Sequence, residues 1–194
     1  VATLLGILDG AQTETDVTTA LEFVVACLEH SAELFEDLCA ARGFHCIARS
    51  LLRKRDLLAP DTVRVLFAVA GVAYHRSVAL TPALEPLVLD LRLFRGRPEN
   101  TALVLETLRS VLEATPSPRE SPLVALRIVR RVLPLLSDAS VDAATLTKAC
   151  ALLDFAYRFD CSDEPAAALI APLLAHIADF AEGGTIAAAA TERC

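Results

Sequence analysis

The chain has 194 residues, of which 54% are hydrophobic and only 5% aromatic, with seven glycines. This length is enough for one domain with a sizeable core, and a composition dominated by leucine and alanine favours helices over strands. The net charge of −7 argues against a general nucleic-acid-binding protein, which needs a basic surface to displace counterions from phosphates.

Caps, prolines and glycines divide the chain into about nine helices joined by short loops. Ser31 is a typical N-cap residue, and Gly43 is predicted to end the helix that runs to Arg42. The helix opened by Pro60 and Asp61 is apolar on nearly every side, which predicts a fully buried inner helix. The predicted helices cover residues 15–29, 32–42, 44–55, 61–74, 82–95, 98–114, 122–136, 141–159 and 163–182.

The later helices form consecutive antiparallel pairs that begin at residues 61, 98 and 141. These intervals fit the period of HEAT and armadillo repeats, in which stacking of helix pairs makes one continuous core. We therefore predict an all-α fold, a right-handed α-solenoid of armadillo/HEAT-like helical repeats over residues 1–194. A compact helical bundle is the competing architecture. The absence of methionine, even at position 1, indicates a trimmed piece of a larger protein.

The charge is unevenly distributed along the chain. Residues 1–43 and 137–194 are acidic, whereas residues 44–136 carry fourteen bases against eight acids. A basic middle between acidic ends favours an anionic partner. The candidate partner-binding residues form three groups that stacked repeats would align on one surface: Arg53, Lys54 and Arg55 with the neighbouring Arg49; Arg92 and Arg95; and Arg127, Arg130 and Arg131.

The alternative interpretation of these arginines is structural. Cations at the end of a helix are favoured by its dipole, which is sufficient reason for the group around Arg53. The other groups would then be solvated faces paired with Glu106, Glu113 and Glu120. Charge reversal of the stripe formed by Arg127, Arg130 and Arg131 distinguishes the two interpretations.

Motifs that carry chemistry are absent from the sequence. No phosphate-binding glycine loop, nucleophile elbow or zinc-protease motif occurs. Residue types suited to zinc occur at His30, Cys39, His45 and Cys46, but their spacing fits no common zinc site. Cys39, His45 and Cys46 are the alternative enzyme or metal site. The favoured prediction is a protein that is not an enzyme and has no cofactor, metal or small-molecule substrate.

Six cysteines without a C-x-x-C pair indicate a reducing, cytoplasmic compartment. The longest uncharged interior run, residues 165–178, is too short to span a bilayer and contains two prolines. It is therefore predicted to be a buried helix.

Residues 42–94 resemble a known helical region. An Arg-Gly-Phe start at residues 42–44 leads into a helix with Ile47, Leu51 and Leu52 that ends in Arg53 and Lys54. A later Leu-rich run over residues 87–94 contains Asp90 and ends in Phe94, where tryptophan is common. This pattern resembles the armadillo-like region of the large BEACH-domain proteins, the neurobeachin and lysosomal-trafficking-regulator group.

The resemblance implies a non-catalytic scaffold for protein–protein interaction, acting in vesicle trafficking, lysosomal sorting or autophagy. Its partners would be other proteins or other domains of the same chain. An alternative is a module that binds anionic lipid at a membrane surface through the basic centre, with peripheral membrane association. No nucleic acid is expected as a partner.

Overall fold

The computed structural model describes residues 2–71, 81–138 and 140–159, and all regular structure in these ranges is helical. Six α-helices are described in the first half of the chain. They are α1 (Ala2–Gly10), α2 (Glu14–His30), α3 (Ala32–Ala40), α4 (Gly43–Arg53), α5 (Pro60–Val69) and α6 (Thr81–Leu87). The second half contains α7 (Pro98–Ala114), α8 (Pro122–Ala125), α9 (Ile128–Val132) and α10 (Ala143–Tyr157). Short 3-10 turns lie at Arg55–Leu57, Leu91–Phe94, Pro118–Glu120 and Leu133–Ser137.

Side-chain caps, among them the predicted cap Ser31, position several helix starts. Thr13 and Asp16 form a reciprocal capping box at the start of α2, and Ser31 caps α3. Asp142 accepts a hydrogen bond from the backbone N–H of Thr145 at the start of α10. The predicted helices over residues 15–29, 98–114 and 141–159 are therefore confirmed to within two residues at each end.

The helices pack in two rows. In one row α2 contacts α5, α5 contacts α7, and α7 contacts α10. In the other row α1 contacts α4 and α4 contacts α6, while α9 packs on α10 near the far end. The buried side chains of both rows form a single cluster that runs from Leu4 to Ala156. A polar contact also joins neighbours in the first row, since the Thr18 hydroxyl of α2 lies 2.7 Å from the Thr62 hydroxyl of α5.

Gly43 does not end a helix, as the sequence suggested, but begins one. The residue with left-handed backbone at this junction is Arg42, with φ of 50°. Gly43 is buried, and a Cβ there would clash with Cδ2 of Leu38 and lie 3.2 Å from the carbonyl oxygen of Leu38. The glycine therefore allows α4 to pack closely on α3.

The prediction that α5 is fully buried is wrong in part. Val63, Leu66 and Phe67 are buried, but Asp61 and Arg64 are exposed and form an ion pair across one helical turn. The helix therefore has a solvent side. The predicted extension of this helix beyond Gly71 lies outside the described residues.

Two long predicted helices are broken. The helix predicted over 82–95 ends at Leu87, directly after Pro86, and the chain resumes as a 3-10 turn at Leu91. The helix predicted over 122–136 is split at Arg127, whose φ is 56°, into α8 and α9. Proline weakens a helix by removing a hydrogen-bond donor, and a left-handed residue interrupts the helical path altogether.

No helix among the described residues is long and apolar enough to cross a membrane. The predicted helix over residues 163–182 and the uncharged run 165–178 lie outside the described residues.

Candidate functional site: an arginine-lined groove

The structure brings arginines from three separate parts of the sequence to one groove. Its volume is about 560 Å³. The groove lies between α4, the C-terminal part of α6 with the turn after it, and α9 with the segment that follows it. Its charged and titratable lining residues are His45, Arg49, Glu85, Asp90, Arg92, Arg95 and Arg131. We call this feature the arginine groove.

Part of the lining of the arginine groove is apolar, and we call these residues its apolar wall. Leu89, Leu91 and Leu135 are buried, and Leu52 of α4 is half-buried. Cavities that combine an apolar lining with a few convergent polar groups are typical ligand sites. The wall also belongs to the core, so the groove is built on packed elements.

His45 and Arg49 lie four residues apart on α4 and therefore share one side of the helix. Both are exposed, whereas Phe44, Ile47 and Leu51 on the other side are buried. Within the described residues, neither side chain has a hydrogen-bond or ion-pair partner. The guanidinium of Arg49 therefore presents all of its donors to the groove or to solvent.

Arg92 and Arg131 are each held by a carboxylate of the groove. Arg92 binds Asp90 through two hydrogen bonds, with Nε to Oδ1 at 2.8 Å and Nη2 to Oδ2 at 2.7 Å. Arg131 donates to Glu85 at 2.6 Å and to the carbonyl of Leu126 at 3.0 Å.

The hydrogen bonds from Arg92 hold the pKa of the Asp90 carboxyl below its usual range. They outweigh burial, which raises this pKa, and the charges of Arg92 and Arg131 act in the same direction as the hydrogen bonds. Asp90 is therefore a charged part of the groove at neutral pH.

Arg95 is held more loosely than Arg92. Its Nη2 lies 2.9 Å from Oδ2 of Asp138, outside the groove lining. Hydrogen bonds from the Ser140 side chain and backbone are the main causes that lower the pKa of Asp138, and the charge of Arg95 contributes least. Ser140 donates its hydroxyl at 2.6 Å and its backbone N–H at 3.0 Å. Asp138 thus stays hydrogen-bonded when Arg95 turns to another acceptor.

Except for the neighbouring Arg49, the first predicted group of cations lies away from the groove, and two of its members join α4 to α1. Arg53 pairs with Asp9 at 2.9 Å, and Lys54 donates to the carbonyl oxygen of Asp9 at 2.8 Å and to that of Ala11. Arg55 lies 3.8 Å from its neighbour Asp56. Arg53 and Lys54 therefore bind the C-terminal end of α1. The interpretation from the sequence considered only the dipole of α4 as a structural reason for these cations.

The third predicted group does not form a stripe. The prediction assumed one helix through Arg127, Arg130 and Arg131, but the break at Arg127 changes the direction of the chain. Of the three, Arg131 lines the groove, whereas Arg127 and Arg130 do not. Two of the predicted acidic partners pair with other cations, since Glu106 pairs with Lys148 and Glu113 with Arg109.

The residues of the alternative metal or enzyme site are not assembled. Nδ1 of His30 lies 2.7 Å from the carbonyl oxygen of Ala26 on its own helix. Cys39 is half-buried, and burial raises the pKa of its thiol, whereas Cys46 is exposed. Across the described ranges, no three His, Cys, Asp or Glu side chains are grouped so that they could hold a metal ion.

A second hollow, of about 570 Å³, lies between α1 and α2. Ile7 and Phe23 line it, and their exposed fractions of 44% and 48% make them the most exposed large apolar side chains in the described part of the chain. Isolated exposed apolar residues are normal on protein surfaces. The hollow contains no basic side chain, so it does not share the chemistry of the arginine groove.

The sequence predicts Arg92, Arg95 and Arg131 as partner-binding residues, but it places Arg49 only beside such residues and His45 only in an alternative enzyme or metal site. The i, i+4 spacing of His45 and Arg49 opposite the apolar face of α4 is the signal that identifies both. Comparison with known proteins adds no further assignment, because no protein-family model, curated protein or solved structure matches this chain.

Proposed function

We propose that this chain is a non-catalytic helical-repeat scaffold that binds an anionic segment of a partner protein in the arginine groove. The observation that carries the proposal is the convergence of Arg49, Arg92, Arg95 and Arg131 beside an apolar wall. Arginine provides planar, bidentate donors for carboxylates and phosphates, and it is enriched at protein interfaces. A groove with both apolar and guanidinium surface suits a peptide.

The arrangement of helices supports the repeat architecture. The helices of the row α2, α5, α7 and α10 begin at Glu14, Pro60, Pro98 and Ala143. These starts are spaced by roughly 40 residues, which is the period of HEAT and armadillo repeats. Successive contacts along one row are the arrangement that a solenoid of armadillo type requires.

The non-catalytic part of the proposal rests on the chemistry of the groove. Guanidinium groups donate hydrogen bonds and remain protonated, so they bind and orient anions without supplying a base. His45 is the one imidazole among the described lining residues, and its side chain has no described partner that would orient it.

The resemblance of residues 42–94 extends the proposal to a cellular setting. A scaffold of this kind would belong to a large BEACH-type protein in vesicle trafficking, lysosomal sorting or autophagy. This part of the proposal rests on the residues of the resemblance, and flanking sequence with a BEACH or WD40 region is the observation that would test it.

Charge reversal tests the groove. Degenerate peptide pools, rich in Asp, Glu and phosphorylated residues, are titrated against the chain and against the Arg49→Glu, Arg92→Glu double variant. We expect saturable binding that the double variant weakens at least about tenfold, since charge-assisted hydrogen bonds are lost and repulsion is added. The matched control is Arg64→Glu, Arg109→Glu, which reverses two exposed arginines outside the groove. Equal weakening by both double variants would contradict the proposal.

A further inference from the structure

We infer that the arginine groove recognises a phosphorylated side chain of a peptide, with Arg49 and Arg95 as the principal donors. This inference rests on the proposed function and narrows it to one ligand chemistry. It follows from which acceptor, if any, each arginine of the groove already binds within the described part of the chain.

The internal carboxylates of the groove make a partner carboxylate a poor ligand. Asp90 holds Arg92 through two hydrogen bonds, and Glu85 holds Arg131 at 2.6 Å. A carboxylate from a partner could bind Arg49 without displacing a group, but it would bring only a single negative charge. At Arg92 or Arg131 it would have to displace Asp90 or Glu85 and would replace one negative charge with another. The exchange gains little, because the contacts formed and lost are of the same kind.

A phosphate monoester differs in charge and in its number of acceptors. It carries about −1.5 to −2 charges at neutral pH and three acceptor oxygens. It can accept hydrogen bonds from Arg49, which has no partner among the described residues, without displacing any carboxylate. Its second charge and remaining oxygens then attract a further guanidinium.

Arg95 is that second guanidinium. Its exposed fraction is 44%, and its acceptor Asp138 keeps two hydrogen bonds from Ser140 when Arg95 leaves. By contrast, release of Arg92 would remove the main group that stabilises the Asp90 carboxylate. His45, four residues before Arg49 on α4, also lines the groove and offers one further donor.

The shape of the site favours a peptide over a membrane. The donors line a concave groove whose apolar side, including Leu52 and Leu135, can contact residues that flank a phosphorylated side chain. A flat bilayer surface would meet the carboxylates of Glu85 and Asp90 together with the arginines. Binding of anionic lipid in place of peptide would therefore overturn the inference.

The test uses degenerate peptide pools with a central phosphotyrosine or phosphoserine and matched pools with central glutamates. Each is titrated against the chain, Arg49→Gln and the control Arg109→Gln, which removes one charge from an exposed site on α7. We expect phosphorylated pools to bind at least about tenfold more tightly than glutamate pools, and Arg49→Gln to weaken them by about ten- to a hundredfold. Arg95→Gln should weaken them by a smaller factor, and Arg109→Gln should leave them unchanged. Thermal unfolding confirms that each variant folds.

The outcomes separate the inference from the proposed function. If glutamate pools bind as tightly as phosphorylated pools and Arg49→Gln weakens both, the phosphate inference is wrong and the anionic groove stands. If no pool depends on Arg49, both are wrong. A last experiment measures sedimentation of the chain and of Arg49→Gln with vesicles of phosphatidylcholine, with and without phosphatidylserine. Sedimentation that requires phosphatidylserine and Arg49, without binding of any peptide pool, would overturn the inference in favour of a lipid surface.

Discussion

The cations on α4 and directly after it differ in what surrounds them: Arg53 and Lys54 contact another helix, whereas Arg49 faces a cavity. Arg53 and Lys54 are bound to the end of α1, through the Asp9 carboxylate and the carbonyl oxygens of Asp9 and Ala11. Arg49, one turn earlier, faces the arginine groove and has no partner among the described residues. Charge density along the sequence does not distinguish these groups. Arg49 and Arg53 are four residues apart and share one side of α4, so the element that packs beside each turn of the helix decides whether a charge meets the chain itself or an open cavity.

We call Arg53 and Lys54 the closed group, because the end of α1 binds both side chains, and the backbone directly after them is tightly packed. The turn at residues 55–57 approaches Gly96 so closely that a Cβ there would lie 2.8 Å from the carbonyl oxygen of Arg55. We expect Gly96→Val to lower the free energy of unfolding by about 1–3 kcal/mol, because the backbone must shift to admit the side chain. Denaturant unfolding measures this effect.

Gly6→Ala is the matched control for that substitution. A Cβ at Gly6 meets nothing within 4 Å, and alanine is the better helix former. The control should leave stability unchanged or raise it. A loss of stability in Gly6→Ala equal to that in Gly96→Val would show that the close approach at Arg55 is not the cause.

Lys54→Met tests whether the first group is structural. The substitution keeps the apolar stem and removes the ammonium that binds two carbonyl oxygens near the end of α1. We expect a loss of about 1–2 kcal/mol in the free energy of unfolding, since hydrogen bonds from charged donors are lost while the carbonyl groups stay in place. Thermal or denaturant unfolding measures the loss, and unchanged stability would contradict the structural role.

The smallest expected effect is a pH dependence at the groove. The folded-state pKa of Asp90 is lowered, so the stability gained from its contacts is present at neutral pH and is lost as pH falls through that lowered value. Asp90→Asn should therefore be less stable than the native chain near neutrality, and the difference should shrink in acid. Unfolding at a series of pH values measures it.

Arg92→Gln provides a second measurement of the same interaction. It removes the main cause of the lowered Asp90 pKa, and its stability should converge with that of the native chain in acid in the same way. A stability difference that stays constant with pH in both variants would show that the Asp90–Arg92 contact does not produce the dependence.

Helix positions are largely predictable from this sequence, because caps such as Thr13, Ser31 and Asp142 act on the residues directly after them. The breaks at Pro86 and Arg127 were missed for different reasons. Pro86 lies in an apolar run whose helical spacing outweighed the proline in the prediction. The left-handed conformation of Arg127 has no sequence signal, since glycine and asparagine are the residues that usually adopt it.

The groove was predictable only in part, because its geometry depends on contacts between distant parts of the sequence. Its arginines are local features of the sequence, but their convergence depends on how α4, α6, α9 and the segment after α9 pack. The predicted stripe at Arg127, Arg130 and Arg131 failed because it assumed an unbroken helix. Long-range partners such as Glu85 for Arg131, 46 residues apart, cannot be derived from spacing.

The most direct test of the account is to measure stability and peptide binding together for Lys54→Met and Arg49→Gln. The account predicts that Lys54→Met loses stability and retains affinity for phosphorylated peptide pools, whereas Arg49→Gln retains stability within about 0.5 kcal/mol and loses affinity. The opposite pattern, or a loss of both properties in both variants, would contradict the distinction between a closed group of cations and an open arginine groove.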